Sequence, residues 1–491
     1  MLCALSCVTL VDLGCTEYRD GRVELDLAYP CRPGPAELQA RIGLYCLRVT
    51  RGATLVAGPA CASSLEEAAL SLPESISPVR IGLEILDRDG VPLLRGISPE
   101  TSLLSGEEDR VPLALAPVQG FGLLAGQAPG CASLPHPLEG HTASAFPSGH
   151  LLLLGSSRSE VTPTRAGLLF DGHTHAAVTL ATPASLHRNQ HTSSPLGDGG
   201  LLVAGGVLTA DGQPTRTLVS LAGGSALGET YLDGWDYAPA VNLTELSTGL
   251  LHPRPAPDAS VFFGSQVLLV DGLNPPEMFL ASLGTIQEVE FTNLPGSPFP
   301  PNNRTARVVP YAPDKALVPG LGTGRLGRLT VQEGSARALF DVVVQQTAAR
   351  NHPMAVLLEG ERVLVLGGVV SGSVQEGPVV VWGNDGSLTE VPVPPGFPER
   401  AFSASLLPDG RVLVAGGVDP GTTSASPRSY LLSPVGAGFR VERGPDLQIP
   451  RAGHTASLLP DGRLALAGGA GLSLAQEDPA WSVEVLAVGR P

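Results

Sequence analysis

Leu406-Leu-Pro-Asp-Gly-Arg-Val-Leu-Val-Ala-Gly-Gly417 and Leu458-Leu-Pro-Asp-Gly-Arg-Leu-Ala-Leu-Ala-Gly-Gly469 are near copies, 52 residues apart. Leu357-Leu-Glu-Gly-Glu-Arg-Val-Leu-Val-Leu-Gly-Gly368 and Leu196-Gly-Asp-Gly-Gly-Leu-Leu-Val-Ala-Gly-Gly206 repeat the pattern. Phe146-Pro-Ser-Gly-His-Leu-Leu-Leu-Leu-Gly-Ser156 is a weaker copy. Phe263-Gly-Ser-Gln-Val-Leu-Leu-Val-Asp-Gly272 and Pro313-Asp-Lys-Ala-Leu-Val-Pro-Gly320 are degenerate ones. The first glycine, replaced once by Asp271, falls at 155, 205, 271, 320, 367, 416 and 468. These are seven units of about 50 residues, the period of a propeller blade rather than of a helical repeat.

Each unit has a physical reading. Asp-Gly makes a tight turn in which φ > 0 favours glycine. The apolar run after it lacks alternation, as expected of a strand buried on both faces. The glycine pair lets backbones crowd and then ends the strand. A short strand precedes each turn, and a third follows, such as Val379–Trp382, Ser429–Leu432 or Trp481–Ala487. Over residues 119–491 the pattern resembles the kelch family of β-propellers. It departs from that family in lacking, in most copies, the Tyr and Trp after the glycine pair. The resemblance implies about seven blades. The last copy has room for only three strands, so Gly120-Phe-Gly-Leu-Leu-Ala125 is expected to supply the strand that closes the ring.

Composition agrees with an all-β, turn-rich chain. Its 491 residues include 60 Gly and 46 Pro, and no long apolar run escapes them. A net charge of −16 argues against nucleic acid as a partner. Lys315 is the only lysine among 31 basic residues, the codon signature of a high-GC bacterial genome. The apolar start MLCALSCVTLV is too short to span a bilayer and reads as the core of an export signal. Asp12-Leu-Gly-Cys15 resembles a lipoprotein cleavage box, which makes Cys15 the lipidation candidate and Cys7 the second. Membrane attachment through that lipid is the expectation. Cys31, Cys46, Cys61 and Cys131 then remain as an even set suited to two disulfides, with three connectivities open.

Residues 20–118 read as a separate small domain of short strands: Arg22–Ala28, Ile42–Val49, Thr54–Ala57, Val79–Leu86, Val91–Leu94 and Val111–Ala116. Turns every 8–15 residues over about 100 residues suggest an immunoglobulin-like β-sandwich. Asp87-Arg-Asp-Gly90 reads as a hairpin turn, and Leu65–Leu70 as a helical turn. The division is therefore residues 1–15 as signal segment, 20–118 as sandwich and 119–491 as propeller.

Several groups are candidates for function. Arg188-Asn-Gln-His191-Thr, Arg350-Asn-His352, Arg400-Ala-Phe-Ser403, Arg451-Ala-Gly-His454-Thr and Gly140-His141-Thr recur ahead of the repeats. A ring of such side chains would bind an anion or metal. As a repeated feature, it would equally satisfy backbone groups between blades. Asp171-Gly-His173-Thr-His175 would present two imidazoles on one strand face as metal ligands, or would be an exposed hairpin. The unit between the second and third copies is longer by about 16 residues, placed within 222–250. It carries Tyr231, Asp233, Trp235, Asp236 and Tyr237 in a chain with only 4% aromatics. Aromatics beside acids on a loop suit a protein or glycan surface. Gly322-Thr-Gly-Arg-Leu-Gly327 matches a dinucleotide string but leads into a strand rather than a helix.

A sandwich beside a kelch-like propeller is also similar to the galactose-oxidase family. That similarity implies a copper site with His and Tyr ligands and a Tyr–Cys crosslinked radical cofactor. The repeats here contain no cysteine. The reading is therefore an exported, membrane-anchored binding or scaffold protein with no cofactor, using propeller loops to hold a protein or glycan. The alternatives are a degenerate carbohydrate-active or copper-dependent oxidase-like enzyme and a structural envelope component.

Overall fold

The structure, a computed structural model, describes residues 22–488 apart from 69, 71–75, 104–107, 157–164, 222–240, 272, 296, 300–306, 320–324, 346–349, 352, 371–378, 421, 423 and 472–477. Cys15 and the aromatic cluster Tyr231–Tyr237 lie outside the described residues. Almost all regular structure is strand. No described helix is long and apolar enough to cross a membrane.

The N-terminal part has two layers. Arg22–Ala28 pairs in parallel with Glu108–Ala114. A larger sheet runs Thr54–Ala62, Ile42–Arg51, Ile76–Asp87, Pro92–Ile97 and Ala116–Pro117, with Thr101–Leu103 also on Ile76–Asp87. Alternate residues turn inward, as a period of two requires. Val23, Leu25, Val111 and Leu113 from the pair share one core with Leu47, Val49, Ile81, Leu83 and Ile85 from the larger sheet. Asp87 makes the expected turn, its Oδ1 accepting from the amides of Asp89 (2.9 Å) and Val91 (2.8 Å). Leu65–Glu67 forms a turn, and the one α-helix among the described residues of this part is Pro35–Gln39, which the sequence pattern did not single out.

Besides the two-stranded pairs Arg188–Asn189 with Val207–Leu208 and Arg350–Asn351 with Val369–Val370, seven sheets of four or five strands follow in chain order among the described residues. Their first strands are Thr142–Ala145, Thr192–Pro195, Asp258–Phe262, Val309–Ala312, Met354–Leu358, Ser403–Leu406 and Thr455–Leu458. Each apolar run of the repeat is the second strand of its sheet, antiparallel to the first. In the sixth sheet Ser403–Leu406, Val412–Ala415, Ser429–Val435 and Gly438–Arg443 lie side by side. The degenerate third and fourth copies build the same four strands, and the fourth adds Glu290–Phe291 at its edge. Arg325–Val331 is a strand, as read from the sequence, and not the helix that a dinucleotide site would need after Gly327. In the seventh sheet the third strand begins at Val483, Trp481 ending a 3-10 turn instead. The fourth strand there is Gly122–Ala125, pairing with Val483–Ala487 from the far end of the chain.

The missing alternation in the apolar runs now has its reason. Val412 and Val414 pack into a core with Leu364 and Leu366 of the fifth sheet, while Leu413 and Ala415 pack with Leu464 and Leu466 of the seventh. Each second strand is thus sandwiched between two neighbouring sheets. The first strands also follow one another around, each against the next and the seventh against the first.

The two parts are joined covalently and by hydrogen bonds. Cys31 pairs with Cys131, and Cys46 with Cys61. Two disulfides point to an exported protein. The Cys31 amide donates to Leu123 O in the strand Gly122–Ala125 (2.8 Å). Arg80 Nη1 donates to Pro460 O at the turn of the seventh sheet (3.3 Å). Because Cys31–Cys131 spans 100 residues and Cys46–Cys61 only 15, chain entropy assigns them about 4.7 and about 3 kcal/mol respectively. Paired Cys→Ser replacement should lower the urea midpoint more for Cys31/Cys131 than for Cys46/Cys61, measured without reductant.

Candidate functional site

The glycine after each second strand sets the geometry. A Cβ on Gly155 would lie 2.4 Å from His191 Cε1, and one on Gly416 would lie 2.7 Å from His454 Cε1. Both glycines have φ > 0 (85° and 62°). The imidazole of one sheet thus sits where the previous sheet lacks a side chain. From that seat it reaches the first strand of the same previous sheet. His191 Nε2 lies 2.9 Å from Thr142 Oγ1, His454 Nε2 2.8 Å from Ser403 Oγ, and His141 Nε2 2.9 Å from Thr455 Oγ1. At the fifth-to-sixth junction Phe402 takes this seat against Gly367.

The basic member of the motif lies four residues before each first strand. Arg451 is fully buried and binds Glu484 Oε1 (2.5 Å), Ser482 Oγ (2.9 Å) and Gly468 O (2.9 Å). Glu484, also fully buried, accepts from the amides of Gln448 and Ile449 as well. Arg188 is fully buried with Thr217 O (3.1 Å) and Thr217 Oγ1 (2.9 Å) as partners. Burial draws its pKa down to about 10, with Glu245 opposing the shift. Arg350 occupies the matching backbone position, Arg350–Asn351 pairing with Val369–Val370, and His352 lies outside the described residues.

The pattern in sequence misaligned one copy and missed another. In the sixth unit Glu399, not Arg400, takes the arginine's place, since the Glu399 carbonyl accepts from Gly368 as that of Arg451 does from Gly417. Arg400 is exposed. In the third unit Arg254 holds the place and was overlooked because prolines surround it. Arg254 is fully buried, with Glu277 Oε1 at 2.9 Å and Asp271 Oδ1 at 3.0 Å. Asp271, the residue that replaces the glycine, therefore supplies a counter-charge. Its constant offset of four residues before the strand was the signal available.

The His-x-His segment does not form a strand face. His173 sits in the turn after Gly167–Asp171, buried, with its amide on Asp171 Oδ1 (2.8 Å) and its Nε2 3.2 Å from Ser148 O. His175 follows with φ 61° and lies 3.4 Å from Arg463 Nη1. Among the described residues no cluster of three or more His, Cys, Asp or Glu is arranged to hold a metal ion.

The candidates therefore separate by place. His191, His454, Arg188 and Arg451 occupy the glycine-pair end and the sheet junctions. Residues 222–240 leave the second sheet from Leu221, which pairs with Leu201 beside the Gly-Asp turn, at the opposite end. Between the ends lies a cavity of about 480 Å³, lined from the second to the fifth sheets. Ser193 and Ser194 stand on one side, Asp258 and Arg307 in the middle, and Pro310 and Met354 beyond. Arg307 Nη1 donates to Asp258 Oδ1 (2.9 Å), and the Val308 amide to Asp258 Oδ2 (2.7 Å). The Asp258 carboxylate raises the Arg307 pKa.

Burial holds the junction histidines neutral. It lowers His141 to about 3, and His191 and His454 well below the usual value, with Arg451 or Arg188 adding to the effect. Their folded pKa values lie below the unfolded value near 6.5. Their contribution is therefore complete above pH 6.5 and is lost as pH falls from there toward about 3. Each fully titrating histidine should tilt stability by about 1.4 kcal/mol per pH unit in that window. Denaturation at pH 7, 6, 5 and 4 should show the slope, and His191→Gln should reduce it.

No protein-family model matches the chain, and no curated protein matches its sequence. Among solved structures the chain is similar to a fungal alcohol oxidase of the AA5 family, determined with copper. The identity is 13%, over 73% of this chain and 75% of that one, with a TM-score of 0.56. YjhT aligns over 63% of this chain and 99% of its own at 15% identity, with a TM-score of 0.45. At 13% identity the likeness to the fungal enzyme is one of fold alone, an all-β architecture.

Proposed function

We propose that the chain is an exported binding module. In this reading the seven sheets are the blades of a propeller closed by Gly122–Ala125, and residues 20–118 are an immunoglobulin-like sandwich. Loops at the Asp-Gly end bind a protein or glycan, and acylated Cys15 holds the chain at a membrane. The observation that carries the reading is the shared location of two features outside the repeat. Residues 222–240 leave the scaffold from Leu221 at the Asp-Gly end. At the same end the N-terminal layers dock, through Arg80 on Pro460. Loops raised on a rigid scaffold are where binding residues concentrate. Tyr231, Asp233, Trp235, Asp236 and Tyr237 supply aromatic area with polar edges. The junction residues Arg188, His191, Arg451 and His454 have partners within the fold, so a ligand-binding role for them, or for Arg350 and His352, ranks second to the loop.

The oxidase-like alternative draws on the likeness to the fungal enzyme. A Tyr–Cys radical cofactor takes a free thiol near a tyrosine. Cys31, Cys46, Cys61 and Cys131 are all in disulfides. Tyr311 packs against Trp382, and Tyr430 donates to Gly396 O (2.8 Å). These residues do not fit that cofactor, and no step is derived through it.

Replacing residues 222–240 by a short Gly-Ser link should leave the melting temperature unchanged. Retention on purified peptidoglycan or on immobilised envelope proteins should fall at least tenfold. Equal retention by both chains, or none by the parent, would sink the binding reading and favour a structural envelope role. Expressed with its full N-terminus in a bacterial host, the protein should fractionate with membranes, and Cys15→Ser should release it. A variant that stays with the membranes rules out Cys15 as the anchor.

A further inference from the structure

One sheet junction differs in kind from the rest. The seat before the first strand holds His141, His191, His454, Phe402 or a proline (Pro257, Pro353), all held uncharged. Between the third and fourth sheets the matching contact is made by Arg307, two residues before Val309, and the hydroxyl partner is replaced by Asp258. The spacing is the same, 49 residues for Thr142–His191 and for Asp258–Arg307. A repeated contact is explained by the scaffold, whereas a departure that places an ion pair in a cavity wall, the junction's only one among the described residues, asks for a ligand.

We propose that the cavity of about 480 Å³ binds the free C-terminal carboxylate of a peptide, with Arg307 as its receptor. The inference deepens the binding-module reading and rests on it. The volume falls in the range of small-ligand sites. The Arg307 side chain is 46% exposed, against 17% for Asp258. One guanidinium nitrogen is engaged by Asp258, and no other side-chain hydrogen bond of Arg307 is found among the described residues. The remaining N–H groups of the planar fork match a carboxylate in two-point contact. Asp258 is a positioning residue, since its second oxygen is tied to the Val308 amide and it fixes the guanidinium from behind.

The rest of the wall suits an extended chain. The strands Thr192–Pro195, Asp258–Phe262, Val309–Ala312 and Met354–Leu358 each stand first in their sheet and are paired on one side only. Such edges offer backbone donors and acceptors to a peptide. Ser193 and Ser194 add hydroxyls on one side, and Val309, Pro310 and Met354 an apolar surface on the other. With −16 net charge on the chain, an anion is not drawn in by the overall field. Recognition must come from the local fork.

The test is calorimetric titration of the full chain with Ala-Ala-Ala and with its C-terminal amide, which differs at the charged group. The free acid should bind at least tenfold more tightly. Arg307→Gln should abolish that preference, and Arg307→Lys, which keeps the charge but not the fork, should retain part of it. Melting curves report whether each variant is folded. If Arg307→Gln does not fold, the acid-to-amide ratio and Arg307→Lys decide. No binding of either peptide, equal binding of both, or an unchanged preference in folded Arg307→Gln overturns the proposal. The chain lacking 222–240 should still bind the tripeptide. Unchanged surface capture by that chain with tripeptide binding intact would refute the loop and leave the cavity standing, and loop-dependent capture with no tripeptide binding by the parent chain would refute the cavity alone.

Discussion

A close contact that recurs between the repeated sheets is an imidazole lying where a glycine has no side chain. Everything around the junction follows from that approach. It brings the ring within hydrogen-bond reach of a threonine or serine on the neighbouring first strand. It also buries the ring, which keeps it neutral. The carbonyl of the residue three positions earlier, as at Arg451, can then accept from the second glycine of the pair. One missing Cβ therefore sets spacing, hydrogen bonding and protonation together. The contact is made between sheets rather than within one, so it acts on how the units assemble.

Buried arginine is the second recurring device, and it is costly. A guanidinium removed from water needs nearly all its donors satisfied. Arg451 and Arg254 meet part of that need with the buried carboxylates Glu484 and Glu277, while Nε of each has no hydrogen-bond partner among the described residues. Each carboxylate also accepts two loop amides, which ties the incoming segment to the third strand. Arg188 has only neutral partners among the described residues, and burial weakens its hold on a proton accordingly. The second sheet is also the one that sends out residues 222–240. The scaffold thus varies in its charge balance from unit to unit while its strand order stays constant.

That constancy separates the scaffold from its sites. Residues that recur at every junction are accounted for by packing. The features that stand apart are the pair Arg307–Asp258, the aromatic segment 222–240 and the N-terminal layers on the turns of the first and seventh sheets. They differ in location as well: the pair lies within the cavity, whereas Leu221, which precedes 222–240 in the chain, and the Arg80 contact on Pro460 are at the Asp-Gly end. The repeated sheets permit this separation because they pack on one another's faces, which leaves the first-strand edges paired on one side only.

Much of this was written locally in the sequence. The apolar runs, the Asp-Gly turns and the glycine pairs depend on neighbouring residues, so they can be read in order. The even set of four cysteines was legible for the same reason. So was the need for Gly122–Ala125, because the last unit visibly lacks a strand. Other features were not legible, since they depend on contacts between residues far apart in the chain. Cysteine pairing was open until Cys31 met Cys131. The partners of Arg254 lie 17 and 23 residues away on different elements. Glu399 displaced Arg400 because the junction counts from the first strand, not from the nearest positive charge. The Arg307–Asp258 pair looked like two unrelated residues 49 apart. Local sequence determined the strands and turns because their energetics are local, and the tertiary structure alone decided which charges meet, because only packing brings distant sheets within a hydrogen bond's length.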